Sequence, residues 1–131
     1  MAKQEYIEKN RIWLSEKAKE SDVLPLDKGI YFRIIKKGKG GASPNRNSVV
    51  TVHYSGRTIN GKIFDSSRGG TAPAFRLREL IPGWIIALQK MHIGDKWEVF
   101  IPAEQGYGRF SQPGIPGGST LIFEIELINF A

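Results

Sequence analysis

The sequence contains no cysteine. This absence excludes disulfide bonds, zinc–thiolate sites and cysteine nucleophiles, so packing alone must stabilise the fold. No apolar run approaches the roughly 20 residues of a membrane-spanning helix, and the N-terminal residues lack the apolar segment of a signal peptide. As written, the sequence predicts a cytoplasmic protein. The alternative is the periplasm or cell envelope, if a leader peptide has been removed.

Residues that could carry metal or hydrolytic chemistry are also scarce. His53 and His92 are the only histidines, and neither has a cysteine or a paired carboxylate at metal-ligand spacing. No GxSxG motif and no acid–base carboxylate pair is present. We therefore expect no metal and no cofactor.

The net charge of +6 raises the question of nucleic acid. Much of the basic charge is interleaved with glutamate near the N-terminus, a pattern typical of a solvated helix surface with near-neighbour ion pairs. We expect neither a nucleic-acid nor a membrane partner. A steeply salt-dependent gel shift would indicate the opposite.

An amphipathic helix is predicted from Gln4 to Ser21. Its apolar residues recur at helical spacing: Tyr6, Ile7, Trp13, Leu14 and Ala18. Residues 1–28 are therefore predicted to be a helix with a linker, and residues 29–131 to be one domain. The apolar stripe covers either this domain or a second copy of the chain, so both a monomer and a dimer through this helix are possible.

The remaining chain predicts mostly strands. Period-two alternation marks 30–35, 49–56, 96–101 and 120–130, and a short edge strand is expected at 74–77. Asn60-Gly61 predicts a hairpin turn, and Pro82 begins a short helix that stops at Gly94. The segment Ala103–Ser119 is predicted to be a functional loop. Antiparallel strands with one helix packed across them indicate an α+β domain.

Aromatic residues and a carboxylate stand at the ends of these elements. They are Tyr54, Phe64, Asp65, Trp84, Tyr107, Phe110 and Phe123. Either each is an ordinary core or loop residue, or the set converges on an apolar pocket with a few polar groups, the general form of a small-ligand site.

Five segments resemble the FKBP family of peptidyl-prolyl cis-trans isomerases: VHYSG, NGKIFDSSRGG, LIPGWIIAL, GDKWEVFIPAEQGYG and QPGIPGGSTLIFEIEL. The resemblance implies a bent antiparallel sheet wrapped around a short helix at Gly83–Met91, with a pocket between them. It also implies rotation of X-Pro amide bonds in unfolded or partly folded chains. The alternative function is a chaperone or partner-binding module that keeps the pocket without turnover.

The resemblance also implies the site residues and ligands. The catalytic residues would be Tyr54, Asp65 and Tyr107; the substrate-binding residues would be Phe64, Leu80, Ile81, Trp84, Ile115 and Phe123. The partners would be proline-containing polypeptides and macrolide inhibitors of the FKBP class.

This chain departs from the family pattern at the pocket. The family usually has an aromatic residue before the motif FRL, where this sequence has Pro73 or Ala74, which predicts a thinner wall. Gln112 replaces a histidine of some members, and the loop after Gly114 is one residue shorter. We expect these changes to alter substrate preference.

Overall fold

The computed structural model describes residues 3–131, so Met1 and Ala2 of the predicted N-terminal segment lie outside the described residues. Within the described residues there are two α-helices and seven strands. In order they are α1 (Gln4–Lys17), β1 (Leu24–Pro25), β2 (Tyr31–Lys36), β3 (Val49–Arg57), β4 (Ile63–Ser66), β5 (Ala74–Arg76), α2 (Pro82–Leu88), β6 (Lys96–Ile101) and β7 (Leu121–Phe130). Single 3₁₀ turns at Asp27–Gly29, Leu77–Glu79 and Ala103–Gln105 connect them.

The strands form one antiparallel sheet in the order β1-β2-β6-β7-β3-β4, and β5 also pairs with β3. The long strands β3 and β7 pair from Val50–Phe130 to Arg57–Ile122, with a register shift between Thr51 and Val52. Such a shift bends a strand and increases its twist. The predicted α+β fold, a bent antiparallel sheet around a short helix, is confirmed.

The inner face of the sheet packs on α2. Five of the seven residues of α2 are buried, which explains why this helix lacks a polar side. Gly83 allows the close approach, since a Cβ there would lie 2.6 Å from the side chain of Ile101 on β6. The central strands supply the facing apolar residues: Val50, Val52, Val99, Ile101, Leu121, Phe123, Ile125 and Leu127.

The outer face of the sheet is covered at one end by α1. Leu14 of this helix and Val23 beyond it are buried against Phe100 and Ile122, whose side chains point away from α2. Trp13 packs at 6.0 Å from Phe100, measured between ring centroids. The apolar stripe of α1 therefore contacts the chain's own sheet.

Both predicted helices are longer than the observed ones. The helix α1 ends at Lys17 rather than at Ser21, because the next residues form tighter turns with N–H groups bonded three residues back, and these turns bring Val23 into the core. In the same way α2 ends at Leu88 rather than at Met91 or Gly94, and the fully buried Met91 follows from a turn.

The strand predicted at 30–35 is shifted by one residue, to Tyr31–Lys36, and the one predicted at 74–77 ends one residue earlier. In β2 the alternation breaks at Ile34, whose side chain is exposed although that of Phe32 is buried, because the pairing with β6 shifts after Ile34. The Asn60-Gly61 turn is confirmed. Its geometry needs glycine, since Gly61 has a φ of 86°.

Candidate functional site

A pocket of about 450 Å³ opens between α2, the β3–β4 hairpin, β7 and the 103–119 loop. We call it the aromatic pocket. Its lining residues are Tyr54, Phe64, Asp65, Phe75, Glu79, Leu80, Ile81, Trp84, Tyr107, Gln112, Pro113, Ile115 and Phe123.

Trp84 forms the floor of the aromatic pocket and is 5% exposed. Its ring lies edge-to-face with Tyr54 and with Phe123, at 5.2 Å between centroids in each pair. Phe75 adds a third edge-to-face contact at 6.1 Å. Pairs of this geometry contribute about 0.5–1.5 kcal/mol beyond burial. The Trp84 Nε1–H has no hydrogen-bond partner among the described residues, so ring packing alone orients this floor.

The wall formed by Phe64 and Phe123 depends on a glycine. A Cβ at Gly56 would lie 2.5 Å from Phe123 Cε1 and 2.7 Å from Phe64 Cζ. Because Gly56 has no side chain, these two rings meet edge-to-face at 5.5 Å across the strand. Gly56 thus makes room for the rings where a larger residue would push them apart.

Polar residues also line the pocket, among them Tyr54, Asp65 and Tyr107. The Tyr54 hydroxyl donates a hydrogen bond to Asp65 Oδ2 at 2.8 Å. Burial and this bond raise the pKa of Tyr54 to about 12, and burial, with the charge of Asp65, also raises the pKa of Tyr107. Both phenols therefore stay neutral hydrogen-bond donors at physiological pH.

Two more donors of the pocket, besides the Trp84 Nε1–H, have no acceptor among the described residues. Neither the Tyr107 hydroxyl nor the backbone N–H of Ile81 has a hydrogen-bond partner among residues 3–131. Ile81 is the N-cap of α2, where N–H groups at the helix start are unpaired within the helix. The aromatic pocket thus offers these unpaired donors and the Asp65 carboxylate around an apolar floor.

The 103–119 loop is held in place by its own backbone. Gln112 and Ile115 exchange hydrogen bonds at 2.9 and 2.8 Å, and Gly118 N–H donates to Gly108 O at 2.8 Å. Gly114 between them has a φ of 77°, a conformation that favours glycine. These bonds place Ile115, 5% exposed, against the pocket.

With this geometry established, the chain can be compared with known proteins. The sequence profile of the family described as FKBP-type peptidyl-prolyl cis-trans isomerase matches residues 40–128. The chain belongs to this family.

Relatives extend the FKBP-type match across the fold. The FKBP-type 22 kDa peptidyl-prolyl cis-trans isomerase of Escherichia coli (strain K12) is 47% identical over 118 residues, which cover 88% of this chain and 57% of that protein. The outer membrane protein MIP of Legionella longbeachae is 42% identical over 92% of this chain and 52% of that protein. This chain therefore spans little more than half the length of these two curated relatives.

A solved FKBP-type neighbour shares nearly the whole fold. The crystal structure of a peptidyl-prolyl cis-trans isomerase from Pseudomonas syringae pv. tomato superposes with a TM-score of 0.90 at 36% identity, covering 98% of this chain and 95% of that one. Helix α1 thus belongs to the shared architecture, because a match of this coverage includes it.

The structure brings all of the predicted FKBP-type site residues to the aromatic pocket. These are Tyr54, Phe64, Asp65, Leu80, Ile81, Trp84, Tyr107, Ile115 and Phe123. Their assignment to catalysis or binding stays a prediction. Phe110, the other aromatic residue noted at an element end, is 78% exposed and does not line the pocket.

Four lining residues, namely Phe75, Glu79, Gln112 and Pro113, were not among the predicted site residues, although Gln112 was noted as a departure from the family pattern at the pocket. The sequence carried a usable signal for Phe75, because it is the aromatic residue of the edge strand predicted at 74–77. In the structure it pairs across the strands with the fully buried Val50. Phe75, which follows Pro73 and Ala74 and begins the motif FRL, lines the pocket, and its ring centroid lies 6.1 Å from that of Tyr54. The thinner wall at Pro73 or Ala74 stays a prediction. Pro113 lies in a loop without periodicity and gave no signal.

The two histidines have local partners away from this pocket. His53 Nδ1 lies 3.1 Å from Ser67 Oγ, and His92 Nδ1 lies 3.3 Å from Asp95 Oδ2 in the turn after α2. Within residues 3–131 no cluster of His, Cys, Asp and Glu side chains has the size of a metal site. Across the same residues, no helix combines the length and the apolar character needed to cross a bilayer.

Proposed function

We propose that this chain catalyses cis-trans rotation of X-Pro amide bonds in unfolded or partly folded polypeptides. Membership of the FKBP-type family supports the proposal. The observation that carries it is the aromatic pocket itself, a Trp84 floor enclosed by aromatic rings and bordered by the Tyr54–Asp65 pair.

The pocket suits a reaction that needs no covalent step. Rotation about an X-Pro bond has a barrier of about 18–20 kcal/mol, because resonance is lost in the twisted state. A proline ring stacked on Trp84 would take its amide out of water. The twisted amide is less delocalised and loses less by this transfer than the planar one, so the transition state is favoured over the ground state.

The polar groups supply orientation. We assign the Tyr107 hydroxyl and the Ile81 N–H, both without an acceptor among residues 3–131, as donors to substrate carbonyl oxygens. Asp65, held by Tyr54 at 2.8 Å, would face the twisting amide and stabilise its changed charge distribution. Phe64, Leu80, Ile115 and Phe123 would enclose the proline ring.

The test is cis-to-trans exchange of short X-Pro peptides, followed by NMR exchange spectroscopy with the parent and an Asp65→Ala variant. We expect the parent to accelerate exchange and Asp65→Ala to lower kcat/KM about ten-fold or more, the effect of losing a charged hydrogen-bond partner. Asp27→Ala is the matched control, because Asp27 is exposed in the turn before β2. Peptide binding without acceleration would instead favour the partner-binding or chaperone function.

We propose that residues 29–131 form the catalytic unit and that residues 1–28 support it from the outer face of the sheet. The family match to residues 40–128 supports this division. The contact of Leu14 and Val23 with Phe100 supports the role given to the N-terminal segment.

The same contact favours a monomer, because it occupies the apolar stripe of α1. Sedimentation velocity would detect a dimer. Binding of a fluorescent FKBP-class macrolide would test whether the pocket accepts such inhibitors.

For location, we propose the cell envelope. The name of the Legionella relative, an outer membrane protein, supports this alternative, whereas the comparisons give no support to the predicted cytoplasmic location. Fractionation of the native cells with an antibody to this chain would test it. Recovery with cytoplasmic markers alone would contradict the proposal.

A further inference from the structure

A polar contact joins α1 to the end of the 103–119 loop. Asn10 of α1 is 1% exposed, and its Oδ1 accepts a hydrogen bond from the Thr120 N–H at 2.8 Å. Its Nδ2 donates to Tyr6 O at 2.8 Å, so both ends of the amide are paired. The Tyr6 hydroxyl lies 2.8 Å from Ser119 Oγ. We call these bonds the Tyr6–Asn10 contact.

From this contact, two short routes lead to the aromatic pocket. Ser119 Oγ donates to Pro116 O, next to Ile115 of the pocket wall, so the Tyr6 hydroxyl must donate to Ser119. Gly118, which precedes Ser119, donates its N–H to the carbonyl of Gly108, beside Tyr107. Fixing residues 119 and 120 therefore restrains both loop residues of the predicted site.

An amide is an unexpected choice for this position. The other buried side chain of α1, that of Leu14, is apolar. Burying a polar group costs free energy unless it is hydrogen-bonded, and an apolar residue of similar size often stabilises a core as well or better. What a paired amide adds is direction, because its bonds are satisfied in only one arrangement of the two segments.

We propose that Tyr6 and Asn10 are positioning residues, through which α1 sets the conformation of the 103–119 loop and thereby the substrate-binding wall of the aromatic pocket. This inference rests on the proposed isomerase function. Neither residue lines the pocket, so their effect on substrate passes through Ile115 and Tyr107.

The test compares Asn10→Leu, which keeps the size of the side chain, with Tyr6→Phe, which removes only one hydroxyl. Each should lower kcat/KM about five-fold, the effect of one hydrogen bond, mostly through a higher KM, because the loop wall binds substrate. The backbone amide signals of Ile115 and Gly118 should shift in the absence of substrate. If Asn10→Leu fails to fold, Tyr6→Phe still decides the question.

Two controls separate positioning from stability. Val23→Ala weakens the apolar contact of Leu14 and Val23 with the sheet and leaves the hydrogen bonds of the loop intact, so it should lower Tm with kcat/KM unchanged. Ser119→Ala removes the partner of the Tyr6 hydroxyl, so adding Tyr6→Phe to it should cause no further loss of kcat/KM.

Failure of the positioning role and failure of the proposed isomerase function would give different results. If the parent does not accelerate exchange, the isomerase proposal fails, while the amide shifts of Ile115 and Gly118 still test the positioning role. Unchanged amide shifts in both α1 variants would overturn the inference. A rise in KM with Val23→Ala equal to that with Tyr6→Phe would also overturn it, since the effect would then follow stability alone.

Discussion

The two faces of the sheet use aromatic rings in different ways. On the inner face, Trp84 is held edge-to-face by Tyr54, Phe75 and Phe123, and the rings leave a pocket open between them. On the outer face, Phe100 is covered by Trp13, and Lys17 Nζ lies 5.8 Å from the Phe100 ring centroid. The same residue type therefore lines a pocket on one face and closes the core on the other.

Further along the outer face, charge replaces apolar packing. Glu98 and Glu124 lie directly opposite each other on β6 and β7, a pairing that is unfavourable for like charges. Arg33 and Arg57 bind Glu98, at 3.0 and 2.7 Å, while Lys96 and Arg68 bind Glu124. The element that covers a strand thus decides which residues that strand carries on the covered face. Phe100 and Glu98 lie on the same face of β6, but only Phe100 lies beneath α1.

The largest expected contrast between the faces comes from their tryptophans. Trp84→Ala should destabilise the fold by about 3–5 kcal/mol and remove prolyl-peptide binding, because it empties the pocket floor. Trp13→Ala should cost about 1–2 kcal/mol and leave exchange activity, because Trp13 is only half-buried. Urea unfolding of both variants measures the difference. Equal losses would contradict the separation of the two faces.

A smaller loss of stability is expected from a substitution at Gly56, where the rings of Phe64 and Phe123 meet. Gly56→Ala would place a Cβ 2.5 Å from Phe123 and 2.7 Å from Phe64, forcing the rings apart at a cost of about 1–3 kcal/mol. Peptide binding should weaken with it. Gly70→Ala is the matched control, since its Cβ would meet no atom closer than 3.8 Å. Wild-type binding by Gly56→Ala would show that this wall does not touch substrate.

Sequence reasoning reached the inner face more readily than the outer one. Alternation in β6 and β7 predicted the inward residues, such as Trp97 and Ile125, and the family motifs placed the pocket residues. The burial of Phe100 and Ile122 was not predicted. Their positions alternate as outward residues, and only the docking of α1, a long-range contact that periodicity does not encode, buries them.

The contact between Asn10 and Thr120 could not be predicted from the sequence for the same reason. An asparagine within a charged helix is typical of a solvated surface, and nothing local indicates that it meets a residue 110 positions later. The helix ends were misjudged because tight turns after Lys17 and Leu88 follow from tertiary packing of Val23 and Met91.

A third experiment tests the charged part of the outer face. Glu98→Gln should cost about 1 kcal/mol, because it leaves Arg33 and Arg57 without their shared carboxylate, and the loss should shrink in high salt. Exchange activity should stay unchanged. Glu16→Gln, from an exposed ion pair with Lys19, should fall within about 0.5 kcal/mol of the parent. Loss of activity in Glu98→Gln would show that the faces are coupled at this point.

The last contrast concerns titration, which should separate the two faces at opposite ends of the pH scale. Burial and Asp65 raise the pKa of Tyr54 to about 12, above its unfolded value of about 10. This contribution to stability is fully present below about pH 10 and is lost as pH rises through about 12. Tyr54→Phe should therefore flatten the alkaline fall of the free energy of unfolding.

The outer face should control the acid limb instead. Burial acts to raise the pKa of Glu124, but its bonds with Lys96 and Arg68 outweigh burial and lower it below the usual value. A carboxylate of lowered pKa stabilises the fold above its unfolded pKa, and this stability is lost as pH falls through the folded pKa. Glu124→Gln should flatten the acid limb and leave the alkaline limb of the parent, measured by urea unfolding across pH. An alkaline limb flattened equally by Glu124→Gln would show that the two faces titrate as one unit, because Glu124 is already charged throughout the alkaline range.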